Sequence, residues 1–262
     1  MKSELSKPVL RALQLALLAA VLLVWYWASL NRNVAFFFGR PLEVAQVVWA
    51  WFVTDAGIYR HLWITLSETV LAFFIGTVGG LGFGLWLGLS RSASALLEPY
   101  VTAANSMPRV ILAPIFGMWF GLGIWSKVAL AVTLVFFIVF FNVYQGVKEV
   151  STTLLDNARM LGANRKQLLR HVYIPSATSW VFSSLHTSVG LAFVGAVVGE
   201  YLGSASGVGY LILQAEGTLD VNTVFAGIVV LTLFALVLDG LVSVVEDRML
   251  AWRPKAGVTE KL

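Results

Sequence analysis

Long apolar runs separated by short polar stretches recur six times along the chain, at about residues 9–30, 64–89, 97–120, 124–147, 178–199 and 221–245. Each is close to the roughly 20 apolar residues that one helix needs to cross a bilayer core. None alternates with the period of two that marks a barrel strand, so the runs predict helices. The expectation is an all-α membrane protein with six transmembrane helices. The first run follows Lys2, Lys7 and Arg11, like the charged start of a secretion signal. Its body is too long for one, and Trp25, Tyr26 and Trp27 stand where a small-residue cleavage site would be, so it reads as a retained helix.

Between the runs, two segments look structured. After Pro41, a good first helical residue, Val44, Val47, Val48, Trp51 and Phe52 recur at three and four residues. That face suits a helix lying along the bilayer surface, and equally one packed on its neighbours. Residues 203–220, Gly-punctuated around Tyr210, Leu211, Ile212 and Leu213, are too short to span and too apolar for an ordinary loop, which points to a segment dipping back toward the membrane. Within the second run, Gly76, Gly80, Gly84 and Gly88 follow one another at four residues, a ridge that lets another helix approach closely. The chain divides into an amino-terminal helix with an interfacial helix (1–57), a transmembrane domain (58–246) and a tail (247–262).

Composition agrees with this plan. Hydrophobic residues make up 58% and charged ones 12%, about half the ~25% of a soluble domain. With no cysteine, a disulfide framework, a thiolate metal site and a Cys nucleophile are excluded. The formal charge is +4, and the basic groups sit outside the apolar runs, a pattern of membrane topology and not of nucleic-acid binding. Lys2, Lys7, Arg11, Arg91, Lys148, Arg159, Arg165, Lys166, Arg170, Arg248, Arg253, Lys255 and Lys261 fall on one side. Only Arg32, Arg40, Arg60 and Lys127 fall on the other. Both termini are therefore expected in the cytoplasm.

The longest inside segment, 148–175, carries the most information. Leu154, Leu155, Ala158 and Leu161 give one short helical face, Gly162 a break, Leu168, Leu169 and Val172 a second apolar set, and Pro175 a stop before the next span. The product is a compact helix, turn, helix across the cytoplasmic face, with Arg159, Arg165, Lys166 and Arg170 as a basic rim.

This loop resembles the EAA signature of binding-protein-dependent ABC importer permeases: Glu-Ala-Ala, three residues, Gly, nine residues, Ile, one residue, Leu-Pro. Asp156, Asn157 and Ala158 hold the first three places, Gly162 the glycine, Val172 the isoleucine, Ile174 the leucine and Pro175 the proline, with every spacing kept. The departures shorten the acid and make the first helix more polar. Met107-Pro108, Ala113-Pro114, the run from Trp119 to Gly123, and Ser126-Lys127 are similar to the third span and following turn of the branch handling sulfonates, taurine and nitrate. Gly199-Glu200 and the run from Gly207 to Tyr210 are similar to the end of its fifth span.

The resemblance implies a type I importer permease in the bacterial inner membrane, paired with a second permease copy as a homodimer. Two copies of an ABC ATPase and a periplasmic solute-binding protein complete the assembly. It would move a small, anionic solute by alternating access. The implied coupling set is Asp156, Asn157, Ala158, Arg159, Leu161, Gly162, Ala163, Arg165 and Pro175. No Gly, four residues, Gly-Lys-Ser/Thr run is present. ATP and magnesium are thus expected on the ATPase, with no cofactor and no catalytic residue in this chain.

Polar residues inside the runs are candidates for the translocation path, since charge at such depth usually faces protein or water. Arg109 follows Met107 and Pro108; it either offers a cation to an anionic solute or snorkels to the inner headgroups. Ser183, His186 and Thr187, with Ser179, share one helical face, which suits a path lining or a seam between two permeases. Glu68, Glu200 and Asp239 are expected to pair with a base or cap a helix. His61, His171 and His186 are scattered, so no metal or haem site is expected. A secondary transporter would need internal repeats and a coupling-ion site, and a redox membrane anchor would need paired haem ligands; neither pattern is present.

Overall fold

The computed structural model describes residues 7–249, and within them all side chains except those of residues 7, 177–184, 247 and 249. Most of the tail, 247–262, lies outside the described residues. The described chain is helical: α1 (Lys7–Ala28), α2 (Arg32–Phe38), α3 (Pro41–Trp49), α4 (Ile58–Leu89), α5 (Arg91–Ser106), α6 (Ala113–Phe120), α7 (Ile124–Lys148), α8 (Thr152–Met160), α9 (Arg165–Leu168), α10 (Ile174–Gly203), α11 (Val208–Gly217) and α12 (Val221–Met249). Two compact units are present. One is the chain up to Arg60 with Leu211–Thr232, the other His61–Tyr210 with the chain from Leu233 onward.

Five stretches are long and apolar enough to cross a membrane: Pro8–Ala28, Ile58–Leu89, Ile124–Lys148, Leu185–Gly217 and Val221–Glu246. The expected third span, 97–120, is not one helix. It breaks at Met107, whose backbone is extended (φ −72°, ψ 134°), because a residue before proline is pushed out of the helical region. A 3-10 turn, Arg109–Leu112, and the short α6 follow.

In the first unit, Gly39 takes a positive φ of 65° and turns the chain into α3, which opens on Pro41. Asn222 Oδ1 accepts from the Arg40 amide at 2.8 Å, and its Nδ2 donates to Glu43 at 2.6 Å. A π turn, Ala50–Thr54, continues α3. Of the expected apolar face, only Val44 is fully buried.

The second unit is built on a seam between α4 and α7. Built-in Cβ atoms at Gly76, Gly80, Gly84 and Gly88 would fall within 2.9 Å of Val135, Val139, Val143 and Val147 respectively. The glycine ridge of one helix thus lies against a valine ridge of the other, both at a period of four. Such contact is what holds helices together where lipid is as apolar as leucine. The seam between α7 and α10 repeats the device, with Gly195 on Ala131 and Gly199 on Lys127. Ala72, Val128, Ala131, Val135, Val139, Val143, Val147 and Ala192 form the resulting core.

Pro175 does not stop a helix. It sits in the first turn of α10, which continues α9 through a π turn at Leu169–Tyr173. In that turn the Ile174 amide reaches Leu169 O. The wider turn absorbs the N–H that proline lacks, so the chain is helical from Arg165 to Gly203.

Candidate functional site

Between α7 and α10 the chain forms a small hairpin of helices. Asp156, Asn157, Ala158 and Arg159 lie on α8, where Arg159 pairs with Asp156 at 3.0 Å in the open. After Leu161, Gly162 adopts a φ of 82°. Its amide bonds Arg159 O at 2.9 Å and that of Ala163 bonds Ala158 O at 3.0 Å, the pair of reversed bonds that ends a helix on a left-handed glycine. Asn164 then opens α9, just ahead of Arg165, with a reciprocal cap: Gln167 N–H to Asn164 Oδ1 at 2.9 Å and Asn164 N–H to Gln167 Oε1 at 2.8 Å.

Beneath the hairpin, Val150, Leu155, Leu168 and Val172 bury one another, with Ala158, Ala163 and Tyr173 against them. The predicted apolar face is split. Leu155 points into this cluster, whereas Leu154 is exposed, Met160 is 79% exposed and Leu161 is 89% exposed. The Gly162 turn swings Leu161 outward. A rigid tip results, apolar at Met160 and Leu161 and flanked by the exposed Arg159, Arg165 and Lys166. A concavity of about 250 Å³ beside it is lined by Ala158, Leu161, Gly162, Leu168, His171 and Val172, among others.

The expected path residues are not gathered into one site. Arg109 donates through Nη2 to the Asn105 carbonyl at 3.1 Å and to Asn105 Oδ1, and its guanidinium lies 4.8 Å from the Phe137 ring centroid. Its Nε is buried with no partner. No carboxylate of a described residue pairs with it. His186 is engaged on both ring nitrogens by α12, with Nε2 2.6 Å from Asp239 and Nδ1 3.4 Å from Glu246. Asp239 therefore pairs with a base, as expected. Thr187 is exposed, and the Ser183 side chain lies outside the described residues.

A second constellation joins residues far apart in the chain. Glu68, Lys127 and Glu200 are each at most 1% exposed, although Lys127 was assigned to an outside segment. Lys127 Nζ donates to Leu122 O at 2.6 Å and Gly123 O at 3.1 Å, within electrostatic reach of both carboxylates. Glu200 accepts from Thr65 Oγ1 at 2.6 Å and from the Gly209 amide at 2.7 Å. It caps α11 and lies within electrostatic reach of Lys127. Charged residues inside two apolar runs, Glu68 and Lys127, and one at the end of a third, Glu200, were the available signal.

Residues 80–251 match the model of a family described as binding-protein-dependent transport system inner membrane component. The chain is 33% identical over 201 residues to the aliphatic sulfonates transport permease protein SsuC of Bacillus subtilis (strain 168), covering 77% of this chain and 73% of that protein. It is 30% identical to the formylaminopyrimidine transport permease protein ThiX of Halalkalibacterium halodurans, covering 90% and 94%. A solved inward-facing structure of the MetNI methionine ABC transporter has the same fold over 76% of this chain and 98% of that one (TM-score 0.62, 21% identity).

Proposed function

Since the chain belongs to the family of binding-protein-dependent transport system inner membrane components, we propose that its helical hairpin at Thr152–Tyr173 receives the stroke of the importer's ATPase. The chain is the permease subunit of an ABC importer in the bacterial inner membrane, with ATP hydrolysis on a separate polypeptide. Importers of this family work with an ATPase and a solute-binding protein. Our reading places two permease copies and two ATPase copies in the assembly, with both termini cytoplasmic, and with ATP and magnesium held by the ATPase.

One observation carries the coupling role: Met160 and Leu161 are largely exposed on a turn that is capped on both sides. Large apolar groups held rigidly in the open mark an interaction surface. Asp156, Asn157, Ala158 and Gly162 set the turn, Ala163 packs it, and Arg159 and Arg165 supply the rim. Pro175 begins the helix that leaves it. A subunit docked there turns α10 directly, because helix runs unbroken from the hairpin into the bilayer. The nucleotide then shifts a two-state balance through contacts that differ between the states.

For the cargo, the names of the two relatives point in different directions, to a sulfonate and to a pyrimidine. Arg109 favours an anion: a guanidinium without a carboxylate partner among the described residues, at a helix break within the membrane region, lacks the counter-charge that such a group ordinarily finds. His186, held between Asp239 and Glu246, suits a seam between α10 and α12 better than a cargo contact. Placing charge on the apolar tip, Met160→Asp with Leu161→Asp, tests the coupling role. The ATPase should fail to co-purify with this variant while membrane insertion is kept; full recovery of the complex would remove the hairpin from the interface.

A further inference from the structure

We propose that the buried knot of Thr65, Glu68, Lys127 and Glu200 is the joint through which α10 carries movement from the hairpin to the segment 204–210. The proposal rests on the coupling role argued above and adds where the movement goes. At 30 residues, α10 is about 45 Å long. Its first turn follows the hairpin, and its last turn holds Glu200.

Beyond Gly203 the chain leaves the helix at Ser204, whose backbone is extended (φ −137°, ψ 167°), and Gly207 takes a φ of 105°. Without ties this segment would swing independently of the helix. Four ties fix it. Glu200 accepts the Gly209 amide at 2.7 Å, Thr65 Oγ1 accepts the Val208 amide at 3.2 Å, His61 Nδ1 lies 3.0 Å from the Gly207 amide, and Thr65 donates to Glu200 at 2.6 Å. Side chains are excluded at the two glycines: a Cβ on Gly207 would fall on the Glu200 carboxylate, and one on Gly209 would lie 2.6 Å from Val197 O.

Lys127 closes the knot from the other side. Its ammonium holds the carbonyls of the turn before α7 within electrostatic reach of Glu68 and Glu200, and its stem fills the space against Gly199. Three helices, the turn before α7 and the start of α11 therefore meet at one point shielded from water. Charges and hydrogen bonds are strong in such a place, and removing one member leaves others buried without a partner. A turn of α10 at its inner end then has to displace 204–210 with it.

The test uses the complex of this chain with its ATPase in nanodiscs. Because the chain has no cysteine, single reporters at Met160→Cys on the hairpin and Ala205→Cys on the outer segment can be read by their rates of reaction with a maleimide, with and without ATP. In the otherwise unaltered chain both rates should change on adding ATP. In Glu200→Gln, the change at residue 160 should persist and that at residue 205 should be lost. In Thr65→Val, which keeps every charge, the change at residue 205 should fall at least twofold. An unreduced response at residue 205 in Glu200→Gln would overturn the proposal; if that variant does not assemble, an unreduced response in Thr65→Val does the same. A parent complex in which residue 160 fails to respond would instead overturn the coupling role itself.

Discussion

Gly80 of α4 sits directly against Val139 of α7: a Cβ placed on the glycine would lie 2.8 Å from the valine Cβ and 2.8 Å from the Phe136 carbonyl oxygen. Neither atom can move aside cheaply, because one is held by a buried branched side chain and the other by helix backbone. The distance between the two helices is therefore set by the absence of a side chain.

Gly80→Val should separate α4 from α7, at a cost of roughly 1–3 kcal/mol or more from overpacking. The expected result is a lower thermal midpoint and a lower yield of folded protein in detergent. Gly82, which has open space around it, provides the contrast: Gly82→Ala should leave both measurements unchanged.

At Gly162 the surroundings are open and the constraint is backbone conformation alone. Gly162→Val forces a β-branched residue to a φ of 82°, a strain of about 1–2 kcal/mol or more. The turn should re-form differently, displacing Leu161. Uptake and stimulation of the ATPase should fall sharply while insertion persists, and Gly162→Asn, which tolerates the left-handed region, should retain more of both.

Removal of the guanidinium in Arg109→Ala should weaken uptake of an anionic solute at least tenfold, with little effect on the yield of the complex. Arg109→Lys should be intermediate, since an ammonium keeps the charge but not the bidentate fork. Uptake in reconstituted vesicles, normalised to assembled complex, checks this.

Asn222 joins the Arg40 amide to Glu43 within the first unit, donating to one and accepting from the other. Asn222→Ala removes the acceptor of the Arg40 amide and leaves Glu43 with the Arg40 guanidinium alone, at about 0.5–1.5 kcal/mol. Asn222→Asp should be worse, because it places a second carboxylate against Glu43. Thermal unfolding of the two variants beside the parent gives the order.

What could be read from the chain follows from how far each signal extends along it. The hairpin was legible because its parts are local: a short apolar face, a glycine and a second apolar set within 28 residues. The outward swing of Leu161 was not, since Gly162 reverses the face by a turn geometry that periodicity does not carry. The break at Met107 was signalled by Pro108, yet the apolar run continues across it and hydropathy alone joins the two sides. Pro175 looked like a stop because proline removes an amide, but the π turn before it takes up that loss. The knot was the hardest to see. Thr65 and Glu68 lie on α4, Lys127 on α7 and Glu200 on α10, and only the close approach allowed by Gly195, Gly199, Gly207 and Gly209 brings them together.

Site-directed cross-linking shows whether the ATPase presses on the tip of the hairpin. A photoreactive maleimide on Leu161→Cys, in the assembled complex, should link this chain to the ATPase subunit in high yield, and the yield should change on adding ATP. A label that reacts only with lipid or solvent, in a complex that still hydrolyses ATP and transports, would contradict the account.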